Sequence, residues 1–266
     1  MTYLDKLENK STYIIREAYS RFKNIALLWS IGKDSTSLLW ICRKAFFGNI
    51  PFPTIHIDTT FKFKEIYEFR NKYSKDWHLN LIIAKNNEAL KNSMSPANEK
   101  FECCNNLKTE ALKIALKEFN FKALLLAIRR DEHGIRAKER YFSPRSADFT
   151  WDYQNQPIEP WEIYKYKLPD EQHFRIHPML HWTELDIWKY IQRERIPTVS
   201  LYFSKNRKRY RSIGCEPCCE PVSSKAGTIK KIIKELETTS ISERSGRAQD
   251  KENAYTMQKL RSLGYM

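Results

Sequence analysis

The segment that most constrains this chain joins an apolar run to a helical pattern through a short polar turn. Residues 25–29 are all apolar, as in a buried strand, and Ser-Ile-Gly-Lys-Asp-Ser follows at 30–35 before apolar helical spacing resumes at Leu38. A strand that turns into a helix leaves backbone N–H groups unpaired at the positive end of the helix dipole, where phosphate binds. Ser30 and Ser35 supply hydroxyl donors, Gly32 lets the backbone approach an anion, and Lys33 adds a positive charge. The GxxxxGK[ST] frame of a Walker loop is absent.

Segments of strand character alternate with segments of helical spacing through the first half of the chain. We expect one or two helices over residues 3–22, interrupted near Lys10 with Ser11 as an N-cap, and a polar loop at 86–100. Strands are predicted at 25–29, 54–58, 80–84 and 123–128, and helices at 36–47, 63–73 and 107–119. This alternation predicts an α/β fold with a doubly wound, mostly parallel sheet.

The pattern changes near residue 145. Tryptophans and prolines cluster beyond Ser143, a short helix capped by Thr183 follows, and another helix is predicted at 228–236. We therefore divide the chain into an α/β domain at 1–145, which carries the phosphate-binding turn, and a smaller helix-rich region at 146–266.

The 266 residues carry a net charge of +14. Such an excess allows a nucleic acid as substrate or partner, and it fits equally well a solvated basic surface or a face for an acidic protein subunit. No run of about 18 apolar residues occurs, and the first twenty residues lack the apolar core of a signal peptide. We expect a cytoplasmic protein with no membrane segment.

Charged residues follow two of the predicted strands. Five cations lie within twelve residues after the strand at 123–128, namely Arg129, Arg130, Arg136, Lys138 and Arg140. Guanidinium groups bind oxyanions through paired hydrogen bonds, so this run suits a triphosphate or a second anionic substrate. A solvated charged loop is the alternative. Asp58 ends the strand at 54–58, at the edge where open α/β sheets bind ligands.

Short motifs spread along the chain resemble one family in particular. They are Ser-Ile-Gly-Lys-Asp-Ser at 30–35, Pro-Phe-Pro at 51–53, His-Ile-Asp-Thr at 56–59, Tyr-Glu-Phe-Arg at 67–70, Lys-Thr-Glu at 108–110, Arg-Arg-Asp-Glu at 129–132, Arg-Ala-Lys-Glu-Arg at 136–140, Trp-Thr-Glu at 182–184, Leu-Tyr at 201–202, and Ser-Glu-Arg at 242–244 with Gly-Arg at 246–247. From about Leu4 to Tyr265 the chain is similar to the small subunit of bacterial sulfate adenylyltransferase. That family belongs to the PP-loop ATP pyrophosphatases, together with the phosphoadenylylsulfate reductases.

The resemblance implies an adenine nucleotide α-hydrolase-like fold and an enzyme that adenylates a substrate and releases pyrophosphate, with ATP and Mg²⁺ as cofactors. It implies ATP phosphates at Ser30, Gly32, Lys33, Asp34 and Ser35, nucleotide contacts near Asp58, and anion binding by Arg129, Arg130, Arg136 and Arg140. Lys33, Asp34 and the four arginines are the candidate catalytic residues. Three features depart from the family. Leu126-Ala127 replace a glycine pair, and a long insertion between Tyr202 and Cys215 is missing, with the basic run 205–211 in its place. The third departure is in the cysteines, since the ordinary subunit lacks the adjacent pair Cys103-Cys104.

Six cysteines include an adjacent pair and a CxxC motif, namely Cys103, Cys104, Cys215 and Cys218. Four thiolates from two segments are the ligand set of a [4Fe–4S] cluster or a Cys₄ zinc site, and adjacent ligands favour the cluster. Buried structural thiols are the alternative. The pattern is similar to that of iron–sulfur adenylylsulfate reductases and of the ATP pyrophosphatase component of DNA phosphorothioation systems. Residues 220–266 contain no cysteine, which disfavours reduction of adenylylsulfate. Among the other residues, Cys219 is a candidate persulfide carrier, Cys42 a core residue, and His56 and His133 packing residues.

Three hypotheses follow. The leading one is an ATP pyrophosphatase that activates an oxygen for replacement by sulfur, with DNA as acceptor and a cysteine desulfurase as sulfur donor. The alternative is the small subunit of sulfate adenylyltransferase, which makes adenylylsulfate from ATP and sulfate with a GTPase partner. The third, suggested by Leu126-Ala127, is a nucleotide-binding scaffold without activity of its own.

Overall fold

The computed structural model describes residues 1–164, 173–248 and 256–264. The strands are β1 (Ile25–Leu28), β2 (Thr54–Ile57), β3 (Leu81–Ala84), β4 (Ala123–Leu125), β5 (Phe142–Arg145), β6 (His173–Ile176), β7 (Lys208–Arg209) and β8 (Val222–Ser223). The α-helices are α1 (Tyr3–Arg21), α2 (Lys33–Ala45), α3 (Lys64–Asp76), α4 (Asn87–Lys91), α5 (Lys100–Cys104), α6 (Ala111–Glu118), α7 (Glu184–Glu194), α8 (Ile229–Leu236) and α9 (Thr256–Ser262). A π-helical turn (Asn105–Glu110) joins α5 to α6, and short 3₁₀ turns lie at Arg130–Glu132, Arg136–Lys138, Pro160–Glu162, Ser200–Tyr202 and Glu216–Cys218.

A six-stranded sheet in the order β3-β2-β1-β4-β6-β5 forms the centre of the fold. Neighbouring strands are parallel, except that β5 runs antiparallel to β6. Every residue of β1, β2, β4 and β6 is buried, as expected where helices cover both faces of a parallel sheet. The predicted α/β class with a doubly wound, mostly parallel sheet is confirmed.

The first helix corrects a prediction. Residues 3–21 form one uninterrupted helix, whose N-cap is Thr2 in a capping box with Asp5. Ser11 lies inside this helix instead of capping a second one. Its hydroxyl is buried and donates to the carbonyl of Pro178 at 2.8 Å, so the polar residue that interrupts the apolar spacing serves a tertiary contact.

Two further segments differ from their predicted form. The predicted loop at 86–100 contains α4, which begins at its N-cap Asn86. The predicted helix at 107–119 begins inside the π-helical turn Asn105–Glu110 and continues as α6. A π-helical turn is indistinguishable from an α-helix in its apolar spacing, and such turns are frequent at functional sites.

The region beyond residue 145 contributes to the central sheet. Strand β6 pairs with both β4 and β5, so the sheet extends past residues 1–145, and the division at 145/146 stays a prediction. The predicted cap is confirmed, since Thr183 forms a capping box with Asp186 at the start of α7. Helix α8 follows its N-cap Thr228.

Among the described residues, no helix combines the length and apolar character needed to cross a bilayer.

Candidate functional site

The site lies where the strand order reverses. The chain leaves β1 towards β2 on one side, while β4 pairs on the other, and ligands of open α/β sheets bind at such a switch point. The segments that follow these two strands enclose a cavity of about 150 Å³. It is lined by the turn 30–35, by the stretch after β4 and by residues 212–214. Lys62, Lys108, Tyr202, Arg244 and Arg247 complete the wall.

The turn between β1 and α2 leaves the helix N-terminus open. Ile31 has a φ of 67°, a left-handed conformation that is unusual for a β-branched residue and reverses the chain sharply. Gly32 is the N-cap of α2 and provides no side-chain cap. The Lys33 amide donates to the Tyr202 hydroxyl at 2.9 Å, and the Ser30 and Ser35 hydroxyls lie 3.0 Å apart. The turn can therefore bind an anion through backbone amides and two hydroxyls.

Buried ion pairs connect this turn to distant segments. The Lys33 ammonium, which is 1% exposed, contacts the carboxylates of Glu243 and Asp34, the latter at 3.2 Å. Arg129, fully buried, contacts the same two carboxylates and donates to Asp131 at 3.0 Å. Burial alone would raise the pKa of Glu243, but the charges of Arg129 and Lys33 hold it well below its usual range. Glu243 thus stays ionised as the link between the two cations.

The predicted arginines separate into two groups. Arg129 supports the turn from below the cavity, and Arg136 lines the cavity itself, paired with Glu132. Arg130 lies 5.1 Å from the ring centroid of Tyr141. Arg140 donates to the carbonyl of Pro157 at 3.1 Å. The anion-binding roles of Arg130 and Arg140 stay predictions, and their side chains make these contacts outside the cavity wall.

Asp58 lies at the end of β2 and is surrounded by donors. Its carboxylate accepts hydrogen bonds from the Thr60 amide at 2.9 Å and the Tyr67 hydroxyl at 3.0 Å, and it pairs with Lys85 at 3.2 Å. Burial would raise the pKa of Asp58, but these hydrogen bonds outweigh it and lower the pKa. The predicted nucleotide contact of Asp58 is not tested by this arrangement.

The two cysteine segments come together beside the cavity. Cys103 and Cys104 end α5, Cys215 and Cys218 bound the short turn after β7, and all four are buried free thiols. Burial raises the pKa of Cys103 to about 12, with further contributions from the charges of Cys104, Cys215 and Cys218. The four thiols therefore lie within electrostatic reach of one another. Leu260 of α9 packs on Cys104.

Cations surround these thiols. Lys108 donates to the Cys104 sulfur at 3.4 Å, and the Thr59 hydroxyl lies 3.2 Å from the Cys215 sulfur. Burial would raise the pKa of Cys215, but Lys108, Lys62 and the hydrogen bond from Thr59 lower it to about 7. A substantial share of Cys215 is therefore thiolate at neutral pH, the form that binds metals and attacks electrophiles.

The metal-centre prediction rests on the type and number of the four thiols. In residues 1–164, 173–248 and 256–264, no three side chains of His, Cys, Asp or Glu converge tightly enough to hold one metal ion. Four buried thiols with cationic neighbours nevertheless match the ligand type and number of a [4Fe–4S] cluster. The cluster and the zinc alternative both stay predictions.

Cys42 and His56 are packing residues, as predicted, and Cys219 follows the turn that contains Cys218. Cys42 is fully buried in the core, and burial raises the pKa of its thiol. His56 is buried with Nδ1 2.9 Å from the Trp29 carbonyl, and burial lowers its pKa to about 3. The Cys219 sulfur accepts from the Gly214 amide at 3.1 Å. A persulfide on Cys219 stays a prediction.

Several cavity residues were not among the predicted site residues. Arg244 and Arg247 come from the Ser-Glu-Arg and Gly-Arg motifs, and Tyr202 and Lys108 from two other motifs of the resemblance. Glu243, of the same Ser-Glu-Arg motif, was also missed, and it contacts Lys33 of the cavity wall. Those motifs were the available signal. Lys62 belongs to none of them.

The sheet order is that of the adenine nucleotide α-hydrolase-like fold, with the turn 30–35 as its PP-loop, and the relatives described next make the chain an α/β enzyme of the adenylyl-transfer class. Residues 24–221 match the model of the phosphoadenosine phosphosulfate reductase domain, and the chain belongs to that family. The scaffold hypothesis is thereby set aside in favour of an enzyme.

Bacterial proteins named sulfate adenylyltransferase subunit 2 are similar over the whole chain. The protein of Saccharophagus degradans is 40% identical and that of Geotalea daltonii 39%, each covering 100% of this chain and 98% of the relative. Both alignments run over 296 positions, 30 more than the 266 residues of this chain, in keeping with the expected missing insertion.

Solved structures show the same fold. The phosphoadenylyl-sulfate reductase of Candida auris has a TM-score of 0.56 at 18% identity, covering 84% of this chain and 98% of that one. The FMN adenylyltransferase of Candida glabrata in complex with ATP has a TM-score of 0.57 at 20% identity, covering 82% and 63%.

Proposed function

We propose that this chain transfers the adenylyl group of ATP to sulfate, forming adenylylsulfate and releasing pyrophosphate. The supporting observation is the open N-terminus of α2 with Lys33 at the switch point of the sheet, in a chain about 40% identical throughout to proteins named for this activity. The alternative weighed from the sequence is therefore favoured over the leading one.

Charge stabilisation around the triphosphate is the main task of the turn. The α2 amides and the Ser30 and Ser35 hydroxyls bind phosphate oxygens, while Lys33 stabilises the β- and γ-phosphates as they leave. A sulfate oxygen attacks the α-phosphorus, the bond from that phosphorus to the β-phosphate oxygen breaks, and pyrophosphate departs. Arg136 and Arg244 share Glu132 at the cavity wall and add positive charge there.

Mg²⁺ would accompany the triphosphate and neutralise part of its charge. The carboxylates of the cavity wall that could hold it are Asp34 and Glu132, and both are paired with arginines. The protein therefore offers Mg²⁺ few preformed ligands of its own, as is usual for an ion that enters bound to phosphates.

A GTPase large subunit is the proposed partner, since the relatives are named as a subunit of their enzyme. The test is pyrophosphate release by the purified chain with and without the GTPase encoded in the same genome, across a range of sulfate concentrations. We expect release that requires sulfate and increases when the GTPase turns over. Release that ignores sulfate in both preparations would contradict this function.

A second function is favoured by the four-thiol cluster beside the cavity. In it, the chain activates a nucleic acid oxygen for replacement by sulfur, as in DNA phosphorothioation, and a cysteine desulfurase supplies the sulfur. Cys103, Cys104, Cys215 and Cys218 would hold a [4Fe–4S] cluster, which supplies a redox-active iron–sulfur centre when bound. The reducing cytoplasm that we expect for the protein would keep these cysteines available.

Metal analysis of anaerobically purified protein tests this second function. We expect about four irons and four labile sulfides for each chain, lost in Cys103→Ser and Cys218→Ser but kept in Cys42→Ala, which alters a core cysteine. Stoichiometric zinc without iron would support the Cys₄ zinc site. Absence of both metals in fresh protein would contradict any metal centre.

A further inference from the structure

Two lysines connect the cavity to the cysteine cluster. Lys62 and Lys108 line the same cavity as the turn 30–35. The backbone of Lys62 forms an antiparallel β-bridge with Cys215, and the Lys108 ammonium donates to the Cys104 sulfur at 3.4 Å. Each lysine is thus tied to one of the two cysteine segments.

Lys62 differs from the cations on the loop side. Lys33 and Arg129 each contact two or more carboxylates, and Arg136 and Arg244 share Glu132. No carboxylate in the described part of the chain pairs with the Lys62 ammonium. Burial and the nearby charges of Lys108 and Arg247 lower its pKa, and the sulfurs of Cys215 and Cys219 are the groups that favour its charged form. A partly buried cation beside a like charge is costly unless an anion binds it. With two like charges near it and only thiols to balance it, Lys62 on the cavity wall is suited to bind a further anion.

We propose that Lys62, with Lys108 beside it, forms the subsite for the acceptor, a tetrahedral oxyanion whose oxygen attacks the α-phosphorus of ATP. This inference rests on the proposed function and adds the position of the second substrate. Sulfate and a phosphodiester share this chemistry, so the subsite serves either acceptor.

The arrangement separates the two substrates by charge. The PP-loop amides and Lys33 take the departing β- and γ-phosphates, while Lys62 and Lys108 hold the attacking oxyanion across the cavity. Holding both anions in place removes the repulsion between them and lowers the barrier to attack. The acceptor also lies next to the cysteines, where a sulfur-transferring enzyme needs it.

The test replaces Lys62 by methionine, which keeps the length of the side chain and removes its charge. Binding of radiolabelled sulfate in the presence of a non-hydrolysable ATP analogue is measured for wild type, Lys62→Met, Lys62→Arg and the control Lys64→Met. Lys64 is the matched control because it lies two positions after Lys62 and its side chain is 86% exposed. We expect about tenfold to a hundredfold weaker sulfate binding in Lys62→Met, the size of one charge-assisted hydrogen bond. Affinity for the ATP analogue stays within about twofold, and Lys62→Arg recovers most of the sulfate affinity.

Other outcomes separate this inference from the proposed function. Wild type that binds no sulfate but binds a short oligonucleotide refutes sulfate as the acceptor, and the subsite then stands if Lys62→Met weakens oligonucleotide binding. Unchanged acceptor binding in Lys62→Met overturns the subsite. The subsite is also overturned if Lys62→Met loses as much affinity for the ATP analogue as for the acceptor. It is overturned as well if the wild-type protein binds neither sulfate nor the oligonucleotide.

Discussion

The two sides of the cavity differ in how their cations are paired. On the loop side, Lys33 and Arg129 share Glu243 and Asp34 in a buried network. On the cysteine side, Lys108 donates to the Cys104 sulfur and Lys62 lies near Cys215, with no carboxylate paired with the Lys62 ammonium among the described residues. The loop side is held in place by pairs of opposite charge, whereas the two lysines of the cysteine side have thiols as neighbours.

This difference indicates how one cavity serves two anions. A buried charge network fixes side chains in one geometry, which suits the ATP phosphates that every turnover uses. The charges of Lys62 and Lys108 attract an anion and also favour the thiolate form of Cys215. Three sets of variants test this difference between the two sides.

Loss of the loop-side lysine has the largest expected effect. In Lys33→Met, we expect pyrophosphate release at saturating ATP and acceptor to fall by about 10²- to 10³-fold, because a charge that stabilises the departing phosphates is removed. The measurement is the steady-state rate, with Lys64→Met as the matched control. A decrease of less than about threefold would mean that the PP-loop lysine plays no part in the chemistry.

Glu243→Gln tests the rigidity of the loop side through stability. We expect a loss of about 3–5 kcal/mol in the free energy of unfolding at neutral pH, because Lys33 and Arg129 lose the carboxylate that they share. Urea denaturation followed by circular dichroism measures this loss.

The pH dependence of that loss has a defined sign. The pKa of Glu243 is lowered in the folded protein, whereas the unfolded chain has an ordinary value of roughly 4.3. Its stabilising contribution is therefore fully present above the unfolded pKa and disappears as the pH falls through the folded pKa. The difference between wild type and Glu243→Gln is constant from about pH 6 to 8 and shrinks below about pH 4. A difference that grows in acid would refute the ion-pair network.

The sequence predicts the loop side of the site better than the cysteine side. An apolar run, a polar turn and helical spacing are local signals, so β1, the PP-loop and α2 were located within about three residues. The cysteines were recognisable by their ligand pattern, and the structure brings both segments together. Ser11 misled the prediction of α1 because spacing alone cannot distinguish an N-cap from a buried tertiary donor.

The sequence did not predict the site residues whose contacts are with residues far away along the chain. Glu243 is separated from Lys33 by 210 positions, and no local pattern encodes their meeting. Lys62 follows β2 in a segment without regular periodicity, and its position is set by the bridge to Cys215, which is equally remote. Both residues depend on how the C-terminal region closes over the sheet edge, which is a tertiary property.

The smallest expected effect comes from three exposed cations that would bind DNA if a nucleic acid, and not sulfate, is the acceptor. Lys205, Arg207 and Lys208 are exposed on a hairpin whose two turn residues, Asn206 and Arg207, have φ values of 52° and 60°. Positive φ at both positions is typical of a tight type I′ turn, which holds the three cations in a fixed array. This hairpin precedes the cysteine turn, so it lies along the chain between the PP-loop partner Tyr202 and the thiols.

Replacing Lys205, Arg207 and Lys208 together by glutamine therefore tests a nucleic acid acceptor. If DNA binds there, we expect the slope of log affinity against log salt to fall by about 3, close to 0.9 for each phosphate that is no longer neutralised. Pyrophosphate release with sulfate stays unchanged, because the three side chains are exposed outside the cavity wall. The matched control replaces the exposed Lys6, Lys23 and Lys75 by glutamine, which removes equal charge elsewhere. Equal slopes for both triple variants would assign the net charge of +14 to nonspecific attraction and leave sulfate as the acceptor.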